Sequence, residues 1–81
     1  MAKLYSSAHI VKILQQYGFF YVSQRGSHAK FQKKKPRKTQ TVIVPANRKE
    51  IPVGTFNSIL KQSGLEESDF AKNSKRKENP K

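Results

Sequence analysis

Two segments of this chain carry apolar residues at the i, i+3, i+4, i+7 spacing of a helix, and each has only one such stripe. In the first, Ile10, Ile13, Leu14 and Tyr17 share a face; in the second, Phe56, Ile59 and Leu60 do. A helix with a single apolar stripe has to lay it against another element. Between the two lie the runs "FFYVSQR", "HAKFQKK" and "QTVIVP", rich in the aromatic and β-branched residues that suit strands. Local signals set the boundaries. Ser6 and Ser7 are N-cap candidates, Gly18 stands where a helix end wants positive φ, and the first helix is expected over residues 7–17. "GS" makes the first hairpin turn, "KKKPRK" a charged second turn around Pro36, and Pro45 stops the third strand. Gly64 closes a second helix expected over residues 53–63.

The order helix, strand, strand, strand, helix with short connections predicts an α+β fold, α-β-β-β-α, built on a three-stranded antiparallel sheet. Both helices then cover one face of the sheet, and the other face is left open to solvent. Alternation along each strand assigns the side chains. Val42 and Val44 point inward in the third strand, with Thr41 and Ile43 outside. Ala29 and Phe31 point inward in the second, so His28, Lys30, Gln32 and Lys34 point outward together. In the first strand the preferred inward pair is Phe20 and Val22, with Phe19 and Tyr21 as the competing set. "LEESDFAKN" suits one further short helical turn, with Leu65 and Phe70 packing back on the domain. A single domain over residues 1–72 is therefore expected, followed by a basic disordered tail over 73–81 that lacks apolar residues.

Charge is distributed unevenly. Lys and Arg number 17 against 5 Asp and Glu, and no acidic residue occurs before Glu50. A first half of one sign attracts polyanions, and nucleic acid is the favoured partner over acidic lipids, because the basic residues do not lie opposite a long apolar helical face. The chain has no cysteine, which removes disulfides, thiolate nucleophiles and cysteine-ligated zinc. No apolar run approaches the roughly 18 residues of a membrane span. A soluble, cytoplasmic protein is expected, with no membrane partner. A chain of 81 residues also has little volume for a large buried pocket.

The chemistry concentrates in "RGSHAKF". His28 is expected on the open cationic face beside Lys30, next to a turn that Gly26 lets bend sharply. An imidazole exchanges a proton near neutrality, and RNA carries its own nucleophile in the 2′-hydroxyl. A base, cations to stabilise the charged phosphorane and a proton donor for the leaving oxygen then suffice for cleavage. His28, Arg25 and Lys30 can supply the first two. Lys33, Lys34, Lys35, Arg37 and Lys38 crowd the second turn, and phosphate contacts are their favoured role. Tyr21 is either a stacking platform for a base or packing filler. His9 reads as surface or capping decoration on the first helix.

From Ser7 to Leu65 the chain resembles the HicA family of toxin–antitoxin proteins, on "KILQQYGF", "QRGSHAKF", "TVIVP" and "KEIPVGTFNSILKQSGL" in that order. The resemblance implies a fold similar to the double-stranded-RNA-binding domain and a ribosome-independent endoribonuclease that cleaves mRNA. It implies that His28 is catalytic, that Gly26 and Ser27 shape the turn and meet phosphate, and that neither metal nor other cofactor takes part. It also implies a HicB-type antitoxin that covers the site. The chain departs from many relatives in having Ala29 after the motif histidine, and Ala46 and Asn47 after the third strand, where those relatives carry another histidine. His28 then performs both proton transfers, or Lys30 or water serves as the acid. The rival readings are a noncatalytic double-stranded-RNA binder and a protein-interaction module using the basic face for an acidic partner.

Overall fold

The computed structural model describes residues 4–72. Its elements run α1 (Ser7–Gln16), β1 (Phe20–Arg25), β2 (His28–Lys34), β3 (Thr39–Pro45), α2 (Val53–Ser63) and α3 (Glu67–Lys72). The three strands form one antiparallel sheet in the order β1-β2-β3, so the α+β architecture read from the sequence is the architecture found. The expected disordered tail, residues 73–81, lies outside the described residues. No helix among the described residues is long and apolar enough to cross a membrane.

The helix ends follow their local chemistry. Ser6 caps α1, its Oγ accepting the His9 N–H at 3.1 Å. Gly18 follows the helix with φ 95°, and Gly64 closes α2 with φ 77°. Both conformations are costly for a residue with a Cβ. At Gly18 space matters as well, because an added Cβ would come within 3.3 Å of Lys33 Cε.

The core lies between the helices and one face of the sheet. Ile10, Ile13 and Leu14 from α1, Phe56 and Ile59 from α2, and Phe31, Val42 and Val44 from the sheet are all buried together. The inward sets expected for β2 and β3 are therefore the observed ones, and Thr41 and Ile43 lie on the far side, half-buried.

β1 departs from expectation. Phe20 and Val22, read as inward residues, are 44% and 41% exposed, and Phe19, just before the strand, is the buried aromatic. The cause is a bulge. β1 pairs Tyr21 with Phe31, skips Val22 and resumes with Ser23 opposite Lys30. One extra residue shifts the alternation mid-strand, so Tyr21 and Gln24 share the helix-side face while Phe20, Ser23 and Arg25 share the open one. Tyr21 meets Phe31 edge-on at 5.9 Å between ring centroids.

α3 is more than a last turn. Phe70 is fully buried and packs edge-to-face on Phe56 at 5.2 Å. Tyr17 donates its hydroxyl to Asp69 Oδ1 at 3.0 Å, which ties α3 to the end of α1. His9 is corrected here: it is no surface decoration. Its ring stacks on Tyr5 at 5.0 Å and its Nε2–H donates to the Phe70 carbonyl at 2.9 Å. Phe70→Ala should accordingly cost about 3–5 kcal/mol, the usual loss for a buried phenylalanine, as a lowered midpoint in urea denaturation. A change below about 1 kcal/mol would mean that α3 is dispensable to the fold.

Candidate nucleic-acid interface

The β1–β2 turn consists of Gly26 and Ser27. Gly26 has φ 59°, and glycine at the first central position is the signature of a type II′ hairpin turn, whose twist matches the flanking strands. Gln24 Nε2 donates to the Gly26 carbonyl at 3.0 Å and braces the turn from its own strand. Ser27 contributes its backbone, its carbonyl accepting the Ala46 N–H at 2.7 Å.

That last bond joins the turn to a second piece of scaffold. Ser7, read as a possible cap, is instead buried in the first turn of α1, where its Oγ donates to the Pro45 carbonyl and accepts the Arg48 N–H at 3.0 Å. Its own N–H donates to the Arg48 carbonyl at 2.9 Å. Pro45 is the cross-strand partner of His28. One buried hydroxyl thus holds the end of β3 against α1, and β3 holds the first residue of β2.

On this scaffold His28 is exposed on the open face, in register with Arg25 on one side and Pro45 on the other. Lys30 lies two residues on, between Ser23 and Ile43. Arg25, His28 and Lys30 line one shallow depression of about 520 Å³ together with Ser23, Gln24 and Ile43. Among the described residues no carboxylate lines it. Ser23 and Gln24 are additions to the residues read from sequence: the Val22 bulge brings Ser23 to the open face, whereas Gln24, opposite Ala29, lines both this depression and the helix side, and no motif signals either.

The remaining sequence candidates sit elsewhere. Lys34, Lys35, Arg37 and Lys38 are exposed around the β2–β3 turn, where the Lys35 N–H donates to the Lys38 carbonyl at 2.9 Å. They occupy the opposite end of β2 from His28, roughly 20 Å away at about 3.3 Å per residue. Lys33 does not join them on the open face. Its Nζ lies 5.8 Å from the centre of the Phe19 ring, and its stem fills the space beside Gly18. Tyr21 faces the helix side, so the aromatic on the open face of β1 is Phe20, opposite Gln32. Ala46 and the αL residue Asn47 follow β3, so no second imidazole approaches His28 from that loop.

The family model described as the HicA toxin of bacterial toxin–antitoxin matches residues 7–65. The chain belongs to the HicA toxin family. It is therefore the toxin of a toxin–antitoxin pair, and an antitoxin is its partner. No curated protein matches the chain. The matched residues of this HicA-family toxin begin at Ser7 and include the whole sheet and α2, whereas the buried Phe70 lies beyond them.

Ser7→Ala tests the scaffold. It would leave the Pro45 carbonyl and the Arg48 N–H without their buried partner, and a loss of about 1–3 kcal/mol is expected in chemical denaturation. Wild-type stability in this variant would show that the hydroxyl does not hold β3 to α1.

Proposed function

We propose that this HicA-family toxin is an endoribonuclease that cleaves mRNA, so inhibiting translation in the cytoplasm, and that a HicB-type antitoxin neutralises it. The observation that carries the reading is the exposure of His28 in a depression whose charged lining, among the described residues, is Arg25 and Lys30. Residues 1–72 act as one ribonuclease domain, with 73–81 as a basic tail.

The reaction is transesterification. Neutral His28 takes the proton of a ribose 2′-hydroxyl, whose oxygen attacks the adjacent phosphorus. Arg25 and Lys30 stabilise the charge that accumulates on the phosphorane oxygens, in a setting with no opposing carboxylate. The P–O5′ bond then breaks, leaving a 2′,3′-cyclic phosphate, and the departing oxygen takes a proton. His28, now imidazolium, is one donor within the depression; Lys30 or water is the other source. The nucleophile belongs to the substrate, so the chemistry requires no metal or other cofactor from the protein.

Binding divides between two places. Gly26 and Ser27 shape the turn beside the reacting phosphate. Lys34, Lys35, Arg37 and Lys38 hold flanking phosphates about 20 Å along the strand, which gives affinity without sequence choice and a strong dependence on salt. Lys33 contributes its charge from the helix side of the sheet. Phe20, on the open face, offers a ring on which an unpaired base can stack.

His28→Ala should reduce cleavage of single-stranded RNA by about 10²–10⁴-fold, the usual contribution of a general base, while leaving RNA affinity within about twofold. Wild-type cleavage should persist in excess EDTA. Equal cleavage by the variant would remove His28 from the chemistry, and undiminished binding with no cleavage by either protein would indicate a noncatalytic RNA binder.

A further inference from the structure

The two edges of the sheet are finished differently. Along β3, Gln62 of α2 accepts the Ile43 N–H on its Oε1 at 3.0 Å, and Gln40 Nε2 donates to the Gln62 and Ser63 carbonyls at 3.3 and 3.0 Å. That edge is occupied by its own chain. Among the described residues β1 pairs with β2 alone, and every one of its residues is exposed. Tyr21 is 54% exposed and Val22 41%. The bulge does not close this edge, since residues on both sides of Val22 remain paired to β2 and open on the other side.

Beneath β1 lies a groove of about 440 Å³ between the helix side of the sheet and the start of α1. Tyr21, Phe31, Val44 and Val11 supply its apolar lining, while Arg48 and Lys49 stand at it with their charges. α1 and α2 both pack on β3, and Ala29 and Phe31 of β2 are buried with it, whereas every residue of β1 is exposed. An open strand edge beside an apolar groove is a surface that proteins normally cover.

We propose that the β1 edge and this groove together receive an extended acidic segment of a partner protein, which adds as a fourth strand beside β1. The inference rests on the toxin–antitoxin reading and assigns that segment to the antitoxin. In an added strand, alternate side chains face opposite sides of the sheet. Side chains on the helix side enter the groove, apolar ones over Tyr21 and Phe31 and a carboxylate toward Arg48 and Lys49 at its margin, while carboxylates on the open side meet Arg25. The charge of the toxin, +12 at pH 7, favours an acidic partner and opposes edge-to-edge pairing with a second copy. Nucleic acid suits this surface poorly, because phosphates gain nothing from an apolar groove or a strand edge. Arg25 faces His28 across the hairpin, so the same segment neutralises one cation of the depression and narrows its mouth.

The test uses the full chain and the purified antitoxin encoded beside it. Binding should slow hydrogen exchange of the amides of residues 20–25. Val22→Glu, which places a carboxylate on the edge outside the RNA site, should weaken the complex about tenfold or more, equal to about 1.4 kcal/mol, while circular dichroism and RNA cleavage stay unchanged. Unchanged exchange in β1 overturns the proposal, as does wild-type affinity in the variant; the exchange measurement decides even where Val22→Glu fails to fold. Failure of the wild-type chain to bind the antitoxin overturns both this inference and the antitoxin reading. Cleavage, assayed without the antitoxin, judges the ribonuclease separately.

Discussion

β2 is paired along its length on one side and almost so on the other, and its alternation is the constraint from which both core and site follow. Ala29 and Phe31 are buried under the helices, while His28 and Lys30 turn to the open face. A slip of one residue would bury the histidine and lysine and expose the phenylalanine, which is why the register is strongly specified. Burial of Phe31 alone is worth about 1.5–3 kcal/mol relative to exposure. The hydrophobic energy that folds the domain is thus the same energy that aims His28 outward. Ser7 adds a polar lock by holding Pro45, the residue opposite His28.

Where one face of an element was fully covered, the sequence was legible. The stripes of α1 and α2, the inward pairs of β2 and β3, the glycine-terminated helix ends and the packing of Phe70 all follow from periodicity and turn chemistry. β1 was not legible in the same way. "FFYV" offers apolar residues at both parities, and the helices do not extend over this strand to choose between them. The bulge at Val22 then lets each parity hold for part of the strand. The roles of Ser7 and His9 are hidden from sequence for a different reason. Their partners, Pro45, Arg48, Tyr5 and Phe70, are mostly distant in sequence or belong to elements whose docking no local pattern specifies. The candidate site was legible in its centre, Arg25, His28 and Lys30, and less so at its margins. Ser23 enters through the bulge, and Lys33, grouped by sequence with the second-turn cations, lies against Phe19 on the side that strand alternation gives it.

The resulting surface separates its tasks. The open face carries the imidazole and two cations at one end of β2 and a cluster of exposed basic residues at the other. The described acidic residues lie in the loop before α2 and from Glu66 onward, and none belongs to a strand. A flexible polyanion can therefore lie along the sheet without meeting a carboxylate. Alongside that path, β1 is the edge strand among the described residues, with an apolar groove beneath it. Gln24 lines both the groove and the depression, so the two surfaces adjoin at the end of β1.

The proposed cleavage depends most on the outward imidazole meeting a ribose hydroxyl. A short RNA whose preferred cleavage site carries a single 2′-deoxy nucleotide on the 5′ side of the cut bond tests this directly. Cleavage should vanish at that bond alone, while the all-ribose strand yields a 5′ fragment ending in a 2′,3′-cyclic phosphate. Continued cutting at the deoxy position would show that the attacking oxygen comes from elsewhere and that His28 does not act on the ribose.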